Sequence, residues 1–135
     1  MPTKAEIQTF LLREFPQTTV LVDEAGDGWA RVRQPVGEEH LRPGGTVSGP
    51  TLMAVADVAA YVAVLAAIGI VPLAVTTNLN INFLNKPAAG RAIIGEAALL
   101  KLGKRLAVID VRLYSEGEPA PVAQASVTYS IPPAR

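Results

Sequence analysis

The 135-residue chain has no cysteine and a single histidine, His40. The first absence removes disulfides, thiolate nucleophiles and cysteine-ligated metals together, and the second removes any site built from several histidines. Charge is scarce as well, at 18% of residues, and twelve basic side chains balance twelve acidic ones. With no overall positive field to attract a polyphosphate, a nucleic-acid partner is not expected. The start, Met1-Pro-Thr-Lys, lacks the basic stretch and apolar run of a signal peptide, so a cytoplasmic location is expected. Aromatic residues make up only 5%, yet half of all residues are hydrophobic. That excludes the disordered class and predicts one domain over residues 1–135.

Thr3 and Glu6 have the spacing of a capping box, and Ile7, Phe10 and Leu11 follow at helical spacing. They predict a short helix over 3–15, stopped by Pro16. Two strand-like runs, 18–22 and 29–36, flank an Asp/Gly-rich turn and predict a hairpin. Residues 38–50 have no period but carry Pro43, Gly44, Gly45 and Gly49, with Pro50 placed to open a helix. From about 50 to 70 the chain is apolar on every face apart from Thr51, Asp57 and Tyr61, which predicts a helix buried all round. A bilayer core needs about 20 apolar residues, and fewer separate Asp57 from Pro72, so a core helix is expected and no membrane span. Beyond Pro72 the period becomes two. Val75, Leu79, Ile81 and Phe83 form the expected buried face of a strand, and Thr76, Asn78, Asn80 and Asn82 the other face. Further strands are expected over 91–102, 106–114 and 122–131. The last four strands are expected to form an antiparallel meander wrapping the long helix, an α+β architecture with Trp29 and Tyr61 in its core.

Asp57 is the most informative residue, an ionisable group in a helix that otherwise buries everything. Desolvating an unpaired carboxylate costs several kcal/mol, so it must be paired, hydrogen-bonded, protonated or held near water in a site. Pairing with Arg42 would make it structural; a cleft beside it would make it catalytic. Eight residues earlier, Gly49 stands where loop becomes helix. The first N–H groups of a helix lack internal acceptors and sit at the positive end of its dipole, so they can stabilise an oxyanion. Glycine there lets a substrate carbonyl approach. Two helical turns span about 11 Å, so a carbonyl at Gly49 is poorly placed for Asp57 of the same helix, and a partner chain could complete the site. His40 has no partner for metal or triad chemistry and is expected to serve its loop.

The stretch Arg42-Pro-Gly-Gly-Thr-Val-Ser-Gly-Pro-Thr-Leu-Met-Ala-Val-Ala-Asp57, followed by Thr76-Thr-Asn-Leu-Asn-Ile-Asn-Phe-Leu-Asn-Lys-Pro87, resembles the hot-dog fold thioesterases of the PaaI-like group. Leu102-Gly-Lys-Arg-Leu-Ala-Val and Val122-Ala-Gln-Ala-Ser-Val-Thr-Tyr129 resemble that group's last strands. The resemblance implies a hot-dog domain in which an antiparallel sheet wraps one long helix. It also implies hydrolysis of acyl-CoA thioesters, in homodimers or dimers of dimers with active sites shared between chains. Coenzyme A would enter only as part of the substrate, with no cofactor. The resemblance assigns Gly49 to polarise the thioester carbonyl, Asp57 to act as general base or nucleophile, and Thr76 to help place the attacking water. The chain departs from the group's pattern at Arg42, where Asn or Gln is common, at Ser48 in place of His, and at Pro50 in place of a second Gly. Arg42 would either pair with Asp57 or grip an anionic substrate group. Lys86, Lys104 and Arg105 become candidates for the CoA phosphates, and Ser48 and Tyr61 candidates for the substrate cleft. Two rival readings follow from the departures: a non-catalytic acyl-CoA-binding hot-dog protein, favoured by Arg42 locked onto Asp57, and a purely structural oligomer.

Overall fold

The structure, a computed structural model, describes residues 1–133. The first helix, α1, spans Lys4–Glu14. Its capping box forms as the spacing predicts: Thr3 N–H donates to Glu6 Oε1 at 2.9 Å and Glu6 N–H to Thr3 Oγ1 at 3.1 Å. Ile7, Phe10 and Leu11 make its buried face.

The expected hairpin is present as β1, Leu21–Gly26, and β2, Trp29–Gln34. Its first strand starts later than 18 because local bonds occupy the preceding residues, Thr18 N–H to the Phe15 carbonyl and Val20 N–H to Thr18 Oγ1. Trp29 is not a core residue. Alternation along β2 turns Ala30, Val32 and Gln34 inward and leaves Trp29 outward and 45% exposed. His40 serves its loop as expected, its Nδ1 accepting the Gly37 N–H at 2.9 Å around a single 3-10 turn.

The long helix α2 runs Gly49–Ile68, opening one residue before Pro50 and ending at Gly69, whose φ of 100° favours glycine. Every residue from Val58 to Ala66 is buried. The expectation of burial on all faces therefore holds for the second half only. Pro50, Met53 and Ala54 are exposed and Asp57 is half-buried; at spacings of three and four they form one stripe that no described element covers.

The remaining strands are β3, Val75–Phe83; β4, Ile93–Leu102; β5, Leu106–Ser115; and β6, Ala123–Ser130. All pairings are antiparallel in a six-stranded sheet of order β1-β2-β4-β5-β6-β3. The expected four-strand meander is thus corrected to three, β4-β5-β6. Residues 84–92 between β3 and β4 are too many for a tight hairpin, and β3 crosses to the far edge beside β6. There it is mostly exposed, with Val75 at 53% and Phe83 at 54%, so its predicted buried face is only half covered, by Leu79 and Ile81.

The inner face of the sheet packs on α2. Gly95 of β4 sits in close packing: a Cβ there would lie 3.0 Å from Val32 Cγ2, 3.2 Å from Leu113 Cδ2 and 3.3 Å from Val55 Cγ1 of α2. The alanines of α2 and this glycine let helix and sheet come together, and each Val or Leu they bury contributes about 1.5–3 kcal/mol.

Candidate active site

Asp57 sits two turns into α2, where the buried half of the helix begins. Its Oδ1 accepts a hydrogen bond from Thr76 Oγ1 at 2.5 Å and lies 3.0 Å from the Tyr129 hydroxyl. The same hydroxyl is 3.1 Å from the Asp57 carbonyl oxygen, so one proton is shared between two acceptors. The carboxylate is hydrogen-bonded and makes no ion pair among the described residues. Arg42 is exposed on the preceding loop, its Nε donating to the Pro43 carbonyl at 3.3 Å. The lock of Arg42 on Asp57 that the non-catalytic reading calls for is not formed.

Thr76 reaches Asp57 because β3 carries a bulge. In the register with β6, Leu79, Ile81 and Phe83 oppose Val127, Ala125 and Ala123, all buried, while the shift between Thr76 and Asn78 sets Thr76 opposite Tyr129. One extra residue therefore moves Thr76 from the asparagine face to the helix face. Simple alternation groups it with the asparagines.

Tyr129 is the site residue that sequence reasoning missed. The available signal was its place at the end of the buried series Ala123, Ala125, Val127, Tyr129. Its ring stacks on that of Tyr61, centroids 5.6 Å apart and planes at 11°, and Tyr61 donates to the Pro72 carbonyl at 3.2 Å. Burial and the neighbouring carboxylate hold the Tyr129 phenol well above its ordinary range, and burial raises that of Tyr61. Both stay protonated, as donors, through neutral pH. Thr76, Tyr61 and Tyr129 line a cleft of about 310 Å³ together with Phe10, Glu14 and Phe15, beside Asp57 but without it in the lining.

Gly49 is elsewhere. Its N–H makes no hydrogen bond among the described residues, and Phe83 Cζ is 3.4 Å from where a Cβ would stand. Ser48 caps the helix, with Thr51 N–H donating to its Oγ at 3.3 Å. Phe83 and Thr76 stand at opposite ends of β3, and eight residues of helix separate Gly49 from Asp57, about 12 Å. The cations are divided in the same way. Lys86 follows the end of β3 that pairs with Ala123, whereas Lys104 and Arg105 lie beyond the end of β6 at Ser130, the Ile131 N–H donating to the Arg105 carbonyl at 2.7 Å. At about 3.3 Å per residue, β6 keeps the two groups roughly 25 Å apart, so within one chain they do not form a single cationic cluster.

The sequence profile of the thioesterase superfamily matches residues 44–122, more than half of the chain. The chain belongs to the thioesterase superfamily. A protein of Silicibacter sp. TM1040 crystallised as a candidate thioesterase is 50% identical to this thioesterase, over 97% of this chain and 92% of that one, with a TM-score of 0.89. The phenylacetic acid degradation protein PaaI of Thermus thermophilus, solved as a mutant, is 26% identical over 88% and 98% of the two chains, with a TM-score of 0.75. A Streptococcus pneumoniae thioesterase protein solved with coenzyme A shares the fold, at 21% identity, 87% and 88% coverage and a TM-score of 0.77. No curated protein sequence matches. The thioesterase is a PaaI-like hot-dog protein and a thioester hydrolase, and its long apolar helix is the core helix of that fold.

Proposed function

We propose that the protein hydrolyses acyl-CoA thioesters in the cytoplasm, with Asp57 as general base and the Gly49 N–H of a second chain holding the carbonyl. One observation carries the reading: Gly49 and Asp57 lie at opposite ends of an uncovered edge strand. If two copies pair antiparallel along β3, about a two-fold axis near its central Leu79, the Phe83 end of one chain meets the Thr76 end of the other. Gly49 of each chain is then carried to Asp57 of the other. The same operation covers the apolar stripe of Pro50, Met53 and Ala54 and brings Lys86 of one chain toward Lys104 and Arg105 of the other. Those three cations are the candidate contacts for the CoA phosphates, and Arg42, free of Asp57, remains for an anionic substrate group. Ser48 contributes through the helix start, which it caps. Pairs of such dimers would make the tetramer that the resemblance implies. Coenzyme A bound to the pneumococcal relative supports the choice of thiol.

In the reaction Asp57 takes a proton from water as the water oxygen bonds to the thioester carbon. The carbonyl electron pair moves onto oxygen, which the Gly49 N–H and the positive end of α2 stabilise. Collapse of that intermediate breaks the C–S bond and expels the thiolate, and the proton held by Asp57 passes to the thiolate or to solvent. The products are CoA and a carboxylic acid. A thiolate is a good leaving group, so no histidine is required. The aromatic walls of the cleft, Tyr61 among them, would receive the acyl group.

Thiol release from short, long and aryl acyl-CoAs by the native chain and Asp57→Asn tests this. The variant is expected to lose at least about a hundredfold in turnover with assembly unchanged. A fully active variant would remove Asp57 from the chemistry.

A further inference from the structure

We infer that Thr76 and Tyr129 act together as positioning residues: they tether Oδ1 of Asp57, so that Oδ2 is the oxygen that takes the proton. The inference rests on the thioesterase reading of Asp57 and concerns which of its two oxygens reacts. A carboxylate oxygen has two lone pairs, and the two hydroxyls at 2.5 and 3.0 Å occupy both on Oδ1. No hydrogen bond reaches Oδ2 among the described residues. Two donors arriving from separate strands fix the carboxylate's rotation about its terminal bond, which is otherwise broad and close to two-fold. A general base held in this way presents one oxygen at a fixed angle and avoids averaging two.

The donors are themselves held. The bulge at Thr77 gives Thr76 its direction, since without it the hydroxyl would point to the opposite face of the sheet. Tyr129 is buried, stacked on Tyr61, and bonded to the Asp57 carbonyl as well as to Oδ1, so its position follows the helix backbone and the side chain together. Tyr61 is in turn bonded to Pro72. The chain Pro72, Tyr61, Tyr129, Asp57 thus links the segment after α2 to the carboxylate. Burial keeps the Tyr129 proton in place, so this phenol orients the base and does not compete with it for protons. Thr76 bonds to the carboxylate itself, a different role from placing the attacking water.

The test is steady-state hydrolysis of benzoyl-CoA and hexanoyl-CoA by the native protein, Tyr129→Phe, Thr76→Val, Thr76→Ser and Asp57→Asn, with folding followed by circular dichroism. Tyr129→Phe and Thr76→Val are each expected to lower kcat about tenfold while KM changes less than about twofold, because the tether acts on the base and not on substrate binding. Thr76→Ser keeps the hydroxyl and is expected to recover most of the loss. Folded variants that retain native kcat, or that lose activity through KM alone, would overturn the tether. An inactive Asp57→Asn beside fully active Tyr129→Phe and Thr76→Val would do so while leaving the thioesterase reading intact, whereas an active Asp57→Asn removes both. Thr76 is exposed on an edge strand, so its two variants decide the matter even where Tyr129→Phe does not fold.

Discussion

Gly49 shows how a residue's own surroundings reveal what it is for. A Cβ at this position would meet only Phe83, at an ordinary contact distance of 3.4 Å, and the backbone there is not in the left-handed region. Nothing within the chain therefore demands glycine. Replacing it with alanine removes unfolded-state freedom, the main source of glycine's poor helix propensity, and is worth up to about 1 kcal/mol. Gly49→Ala is accordingly expected to melt at the same temperature as the native protein or higher, yet, if Gly49 receives the carbonyl as proposed, to lose about tenfold or more in kcat/KM. Calorimetry and thiol release on one preparation check both halves, and a variant that gains stability with full activity would take Gly49 out of the site. Asp57 and Gly49 stood out in the chain, because a carboxylate in an apolar helix and a glycine at a helix start are local anomalies, whereas Thr76 was singled out only by the resemblance. Tyr129 did not stand out, because a tyrosine ending an alternating apolar strand looks like any core aromatic until its hydroxyl is found on a carboxylate.

At the scale of elements, helix ends and strand positions followed local rules closely. The Thr3 and Glu6 box, the stop of α1 before Pro16 and the hairpin at Gly28 all arise within a few residues of chain. The contact of helix with sheet is set more tightly. Gly95 is flanked by Val32, Leu113 and Val55 at 3.0 to 3.3 Å from a hypothetical Cβ, three neighbours on three different elements. Gly95→Val is expected to destabilise the fold by about 1–3 kcal/mol through overpacking, more than its gain in strand propensity returns. Urea unfolding measures the change, and an unaltered midpoint would show that α2 can lift off the sheet at little cost. Beyond the late start of β1, the outward Trp29 and the exposed first half of α2, element-level expectation failed most at β3. Its sequence alternates cleanly, but the bulge at Thr77 reverses the phase for Val75 and Thr76, and no residue type around the bulge announces it.

At the scale of the whole molecule, an uncovered strand edge runs beside exposed Met53, Phe83 and Leu84. An edge strand of this length with such a flank is a template for pairing. If two copies pair along β3 as proposed, the double variant Met53→Lys, Phe83→Lys, which leaves the buried core untouched, is expected to shift sedimentation toward monomer, with thioesterase activity falling in parallel. A monomer as active as the native assembly would place the whole site in one chain.

What the sequence determined by itself is what depends on near neighbours: the caps, the long apolar helix, the alternating strands, and the motif from Arg42 to Asp57 that points to a hot-dog thioesterase. The tertiary structure decided which strand stands at the edge, which face Thr76 joins, that Tyr129 bonds Asp57, and that Lys86 lies far from Lys104 and Arg105. These are matters of pairing between β3 and β6, strands far apart in the chain. A one-residue change in that register turns side chains to the other face, and the choice among registers is made by the packing of the whole sheet on α2, which no short stretch of sequence contains.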